Sequence, residues 1–147
     1  MSKHILYADG ASRGNPGPAA YGSVVFDSAG NVVAELAGYL DVATNNFAEY
    51  YGLITGLEFL HTISAPPLVE IRMDSKLVVE QMSGKWKIKH PDMRELALTA
   101  QKLLHTFTPT FVWIPREENA KADALANEAL DNASRGLLEP ILRRYSS

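Results

Sequence analysis

Cysteine is absent from the 147 residues, which removes disulfides, thiolate metal sites and cysteine nucleophiles at once. Absent too is any apolar run approaching the roughly 18 to 20 residues that span a bilayer. Met1-Ser2-Lys3-His4 leads straight into a β-prone stretch and lacks the apolar core and small-residue cleavage site of a signal peptide, so a cytoplasmic address is expected. There is no basic excess. The net charge of −3 argues against holding nucleic acid by bulk electrostatics. Clustered site carboxylates would themselves supply several of those charges, and a bound divalent cation would invert the local sign. No linker, internal repeat or low-complexity tract interrupts the chain, and 46% hydrophobic residues suffice for one domain with a sizeable core.

What is present is organised around Asp9. Period-2 alternation sends Ile5, Tyr7 and Asp9 to one face of a first strand, apolar except for the acid at its end. The run Gly10-Ala11-Ser12-Arg13-Gly14-Asn15-Pro16-Gly17 then reads as a loop. Its glycines allow close backbone approach to a ligand, and its N–H groups can meet phosphate or hydroxyl oxygens. Taken alone, Asp9-Gly10 is equally an ordinary strand-ending turn. A dinucleotide fingerprint is excluded, because the G-x-G-x-x-G spacing is missing and Pro16-Gly17-Pro18 cannot open a helix.

The remaining elements follow from periodicity and turn chemistry. Strands are expected over 4–9, 20–26 and 32–40, the last two joined by the turn Asp27–Asn31. Thr44-Asn45-Asn46 opens a helix to about Thr62, with Glu49 in line with Leu53 and Leu57 on its apolar stripe. An acid on that stripe either complements the helix dipole or serves a site, because a buried carboxylate is costly unless paired or bound to metal. Pro66-Pro67 precede a strand over 68–73; Asp74 closes it and stands before a helix over 75–83, where it could equally be an N-cap. Lys85-Trp86-Lys87-Ile88-Lys89-His90 is either a solvated loop or a short basic patch with one stacking ring. A helix over 91–106, a strand over 110–114 and a helix over 120–130 complete the pattern, with Asn119 and Asp123 four apart on one face. Residues 134–147 read as a short docked helix or a loose tail.

Four acids thus stand at the ends or beginnings of separate elements: Asp9, Glu49, Asp74 and Asp123. Their order in a β-β-β-α-β-α-α-β-α chain closely resembles type 1 ribonuclease H. The resemblance rests on Tyr7-Ala8-Asp9-Gly10 with Gly14-Asn15-Pro16-Gly17-Pro18, Thr44-Asn45-Asn46-Phe47-Ala48-Glu49, Met73-Asp74-Ser75 and Asn119-Ala120-Lys121-Ala122-Asp123-Ala124-Leu125-Ala126. It spans Ile5 to about Leu130, and motifs jointly present in order are far more specific than any one of them.

The resemblance implies a ribonuclease H-like α/β fold, a mixed five-stranded sheet flanked by helices with strands one and four adjacent at its centre. The domain would occupy 1–133 and a C-terminal tail 134–147. It implies endonucleolytic hydrolysis of the RNA strand of RNA/DNA hybrids to 5′-phosphate and 3′-hydroxyl ends. Two Mg²⁺ ions (or Mn²⁺) roughly 3.5–4 Å apart would flank the scissile phosphate. By resemblance, Asp9 bridges both ions, Asp123 completes the nucleophile side, and Glu49 and Asp74 complete the leaving-group side. The backbone of Gly10, Ala11 and Ser12, with Asn15, Asn45 and Asn46, would read 2′-hydroxyls in the minor groove, amides being apt because each both donates and accepts. Thr44 would hold a DNA phosphate and Trp86 would support the DNA strand. The expected partner is the hybrid duplex, with no membrane involved, and the chain is expected to be a monomer.

Many relatives carry a histidine in a longer loop before the last helix. Here that loop is Ile114-Pro115-Arg116-Glu117-Glu118, and none of the four histidines lies in it. The loop resembles a branch of the family in which Arg116 occupies the region, so Arg116 is the candidate for assisting product release, with Asn119 a candidate phosphate contact. Lys76, directly after Asp74-Ser75, is a second departure. A catalytically idle hybrid-binding module is the competing class, disfavoured because all four acids are present; double-stranded RNA is a candidate additional substrate.

Overall fold

A computed structural model describes residues 3–63 and 65–145. The elements are β1 (His4–Ser12), β2 (Gly17–Phe26), β3 (Val32–Ala43), α1 (Asn45–His61), β4 (Leu68–Met73), α2 (Lys76–Met82), α3 (Pro91–Leu104), β5 (Thr108–Trp113), a single 3-10 turn (Arg116–Asn119), α4 (Ala120–Ser134) and β6 (Ile141–Arg144). They form one mixed sheet in the order β5-β4-β1-β2-β3-β6. β4 runs parallel to β1 and to β5, and the other neighbours are antiparallel. β1 and β4 are thus adjacent near the centre, as the resemblance implies.

The two faces are covered unequally. Leu6 and Ala8 of β1 join Val69, Ile71 and Met73 of β4 in a large core under α1, α2 and α3, where Leu53, Leu57 and Tyr50 are fully buried. Each large apolar side chain removed from water there contributes about 1.5–3 kcal/mol. On the opposite face a smaller cluster packs Leu125, Ala129 and Leu130 of α4 on Ala20, Val24 and Ala37, with Tyr7 and Ala11 of β1 at its margin. Strand alternation therefore gives Asp9 the parity of the α4 face and Gly10 that of the α1 face.

Two expectations are corrected. β1 continues past Asp9 to Ser12 and β2 begins at Gly17, so the first three residues of the expected loop are hairpin ladder, with Gly10, Ala11 and Ser12 paired to Tyr21, Ala20 and Ala19. Ladder pairing outweighs the poor strand propensity of these residues. The carboxy-terminal segment is neither helix nor loose tail over its last described residues. Ile141–Arg144 pair antiparallel with Ala34–Ala37 as a sixth strand. Arg143 reaches Glu128 and Glu35, and the Tyr145 hydroxyl donates to Glu35 Oε1 at 2.5 Å. No helix among the described residues is long and apolar enough to cross a membrane.

Candidate active site

The parallel ladder pairs Tyr7 with Arg72; continued for two residues, that register sets Asp9 level with Asp74. Two glycines then bring the helices in. A Cβ on Gly10 would lie 2.3 Å from Glu49 N, so α1 rests directly on β1 at Ala48 and Glu49 and delivers Glu49. A Cβ on Gly22, the ladder partner of Asp9, would lie 2.2 Å from Ala122 O, so α4 rests directly on β2 and delivers Asp123. Both contacts exist only because no side chain intervenes. Thr44 caps α1 by accepting from Phe47 N at 3.2 Å. Ser75, not Asp74, caps α2, accepting from Val78 N at 3.2 Å, so the Asp74 carboxylate is not taken up by capping.

The four acids share one hollow of about 250 Å³, whose lining also includes Gly10, Ala11, Ser12, Asn45 and Arg116. Asp9 is 5% exposed. Burial pushes its carboxyl up to about 8; Asp74, Glu49 and Asp123 add to that by repulsion, while the Gly10 N–H donating to Oδ1 at 2.9 Å opposes it. Glu49 is likewise pushed up to about 8 by burial and then by Asp74, against a hydrogen bond from Ser75. Glu49 Oε2 is buried with no hydrogen-bond partner.

Among the described residues no three acids or histidines stand close enough together to hold an ion as placed. Carboxylates that repel one another across a shared hollow can be drawn together by a cation placed between them. An all-carboxylate donor set with an unpartnered buried oxygen fits hard, oxygen-seeking divalent cations such as Mg²⁺ or Mn²⁺.

Asp74 is held from behind. The Asn119 Nδ2 group donates to Asp74 Oδ1 at 2.7 Å and to Ala8 O at 3.0 Å, and Trp113 Nε1 donates to Asp74 O at 3.1 Å. Asn119 is 1% exposed, which corrects its expected part as a phosphate contact: a side chain sealed behind Asp74 cannot reach a duplex. Arg116 is exposed and lines the hollow.

Beside the hollow lies a groove of about 580 Å³ between the start of α1 and the segment joining α2 to α3. Asn15, Thr44 and Asn46 line one side, and Lys87, Lys89 and His90 the other. Asn45 ties hollow and groove together: Ser12 Oγ donates to its Oδ1 at 2.7 Å, and its N–H donates to Asn15 Oδ1 at 3.1 Å. Trp86 stands 45% exposed on the same segment but lines neither cavity. The sequence identified the basic stretch without naming Lys87, Lys89 and His90 as site residues. Ser75 entered only as part of Met73-Asp74-Ser75 and not as the cap of α2, and nothing in the sequence signalled the parts of Trp113 or Gly22, which depend on packing between distant segments.

An acid-lined hollow at the level of two parallel central strands, beside a basic groove, defines a nucleic-acid-processing class of α/β domain. A sequence profile described as "Reverse transcriptase-like" matches residues 7–129. A bifunctional protein of Mycobacterium tuberculosis is 50% identical over 134 residues, covering 90% of this chain and 36% of the relative. Ribonuclease HI of Halobacterium salinarum is 47% identical over 86% of this chain and 64% of its own length; its crystal structure matches with a TM-score of 0.84 at 45% identity, over 88% of this chain and 98% of that one. LC11-RNase H1, solved in complex with RNA/DNA hybrid, matches with a TM-score of 0.86 at 44% identity, over 90% of this chain and 99% of that one. The chain belongs to the type 1 ribonuclease H family. It spans about a third of the mycobacterial relative and under two thirds of the haloarchaeal one.

Proposed function

We propose that this chain is an endonuclease that hydrolyses the RNA strand of RNA/DNA hybrids, leaving 5′-phosphate and 3′-hydroxyl ends. The observation that carries the reading is the convergence of Asp9, Glu49, Asp74 and Asp123 on one hollow in a chain of this family. Asp9, central to the quartet, and Asp123 would hold one divalent cation; Asp9 with Glu49 and Asp74 would hold a second. Bound there, Mg²⁺ or Mn²⁺ would acidify a water and offset charge on the scissile phosphate.

The chain's own groups bind and orient. The backbone of Gly10, Ala11 and Ser12 lines the hollow, and together with Asn45 it offers donors and acceptors suited to 2′-hydroxyls. Asn15 and Asn46 extend that surface into the groove. The Thr44 oxygen accepts from Phe47 N, so its hydroxyl proton can be donated to a phosphate of the DNA strand. Lys87 and Lys89 add charge along the same path, and Trp86 supplies an exposed ring for stacking against that strand. Arg116, an exposed cation in the acid-lined hollow, is suited to holding the phosphate that leaves after cleavage.

The test is a cleavage assay on labelled hybrid, duplex RNA and duplex DNA of one sequence, with Mg²⁺ and with chelator. Cutting of the hybrid's RNA strand only when the cation is present is expected. An intact hybrid under both conditions, or equal cutting of duplex DNA, would reject the reading.

A further inference from the structure

Asn119 occupies the N-cap position of α4, where Asn is among the most favoured residues because its side-chain oxygen accepts a backbone N–H of the first turn. Here it makes no such bond. Instead its Nδ2 group donates to Asp74 Oδ1 at 2.7 Å and to Ala8 O at 3.0 Å, and its Oδ1 is buried without any partner. The amide's orientation follows from its neighbours: turned over, it would aim an acceptor at two acceptors. The residue thus forgoes a helix cap and leaves an oxygen unpaired, both unfavourable, and gains one bridge. That bridge links the backbone of β1, one residue before Asp9, to the carboxylate that follows β4.

We infer that Asn119 is a positioning residue that fixes the Asp74 carboxylate relative to Asp9 and so prepares the quartet for a divalent cation. The inference rests on the proposed activity for its purpose, but it makes a statement about cation affinity that stands apart from cleavage. Without the amide, the Asp74 side chain can rotate within the hollow. Partners of this kind behind a ligating group typically govern about ten- to a hundred-fold of metal affinity or activity.

The experiment compares wild type with Asn119→Ala and Asn119→Ser. Mg²⁺ affinity is measured by calorimetry without nucleic acid, and the Mg²⁺ dependence of cleavage and KM for the hybrid are measured alongside. In folded variants, the Mg²⁺ Kd and the half-saturating Mg²⁺ concentration should rise about ten-fold or more, with KM for the hybrid at saturating Mg²⁺ within about two-fold of wild type. Folded variants with wild-type Mg²⁺ affinity overturn the inference. Should neither variant fold, the wild-type Asn119 side-chain amide decides it by NMR: slow proton exchange and a shift on adding Mg²⁺ support the role, and surface-like exchange with no shift overturns it. Asn119-dependent Mg²⁺ binding in a protein that leaves hybrids uncut upholds the positioning role and rejects the activity.

Discussion

The acid hollow is walled by backbone with no room to yield: Gly10 lies under α1, Gly22 lies under α4, and Asp9 itself is nearly buried. The groove beside it takes Lys87, Lys89 and His90 from an exposed segment between two helices. The difference separates two tasks. Groups that must meet reacting atoms within a fraction of an ångström are set by the core, where a displacement is costly. Groups that need only follow a phosphate backbone sit on flexible side chains, whose contribution is screened by salt. Substitutions in the hollow should therefore abolish turnover, and substitutions in the groove should shift affinity.

The largest effect tests the first half of that contrast. Asp74→Asn should lower the cleavage rate by roughly 10³ or more while a gel-shift assay finds hybrid binding largely intact. Near-wild-type cleavage would remove Asp74 from the site. Gly22→Ala sharpens the point by moving backbone instead of charge. Its new Cβ would meet Ala122 O at 2.2 Å, so α4 must lift and carry Asp123 with it. A loss of about 1–3 kcal/mol in urea unfolding is expected, with kcat falling more than KM rises.

The third prediction concerns charge inside the hollow. Asp9 and Glu49 are both raised to about 8 from ordinary values of 3.8 and 4.5. The folded protein therefore binds more protons than the unfolded one between about pH 4 and pH 8. Their contribution to stability is complete below that window and is lost as pH rises through it. Thermal unfolding in chelator should show the midpoint falling from pH 5 to pH 8, less steeply in Glu49→Gln, and less steeply in wild type once Mg²⁺ is present. Equal slopes in wild type and Glu49→Gln would contradict the account. The smallest effect belongs to the groove: Lys87→Ala or Lys89→Ala should raise KM a few-fold, leave kcat alone, and reduce the salt slope of hybrid binding by about one.

The quartet was legible in sequence because Glu49, Asp74 and Asp123 sit near the start or end of an element, Asp9 interrupts the apolar alternation of β1, and the four motifs occur together in one order. Other features lay beyond reach for physical reasons. The run from Gly10 to Gly17 has turn composition, and only pairing with Tyr21, Ala20 and Ala19 keeps its first residues in a strand. The sixth strand is four residues after Pro140, too short for alternation to be read, and it exists because β3 offers a free edge at Ala34–Ala37. The Asn119 spacing to Asp123 was visible, but its burial was not. A loop asparagine reads as solvated until packing puts it behind Asp74. Gly22 looked like any strand glycine, whereas the approach of α4 makes it necessary.

Metal-dependent thermal stability of wild type against Asp9→Asn bears most directly on the idea that these carboxylates form a pocket strained by its own charge. At pH 8 in chelator the variant should melt higher than wild type, since one buried charge is gone, and Mg²⁺ should then raise the wild-type midpoint while leaving the variant almost unmoved. A wild-type midpoint indifferent to Mg²⁺, together with a variant no more stable than wild type, would contradict it.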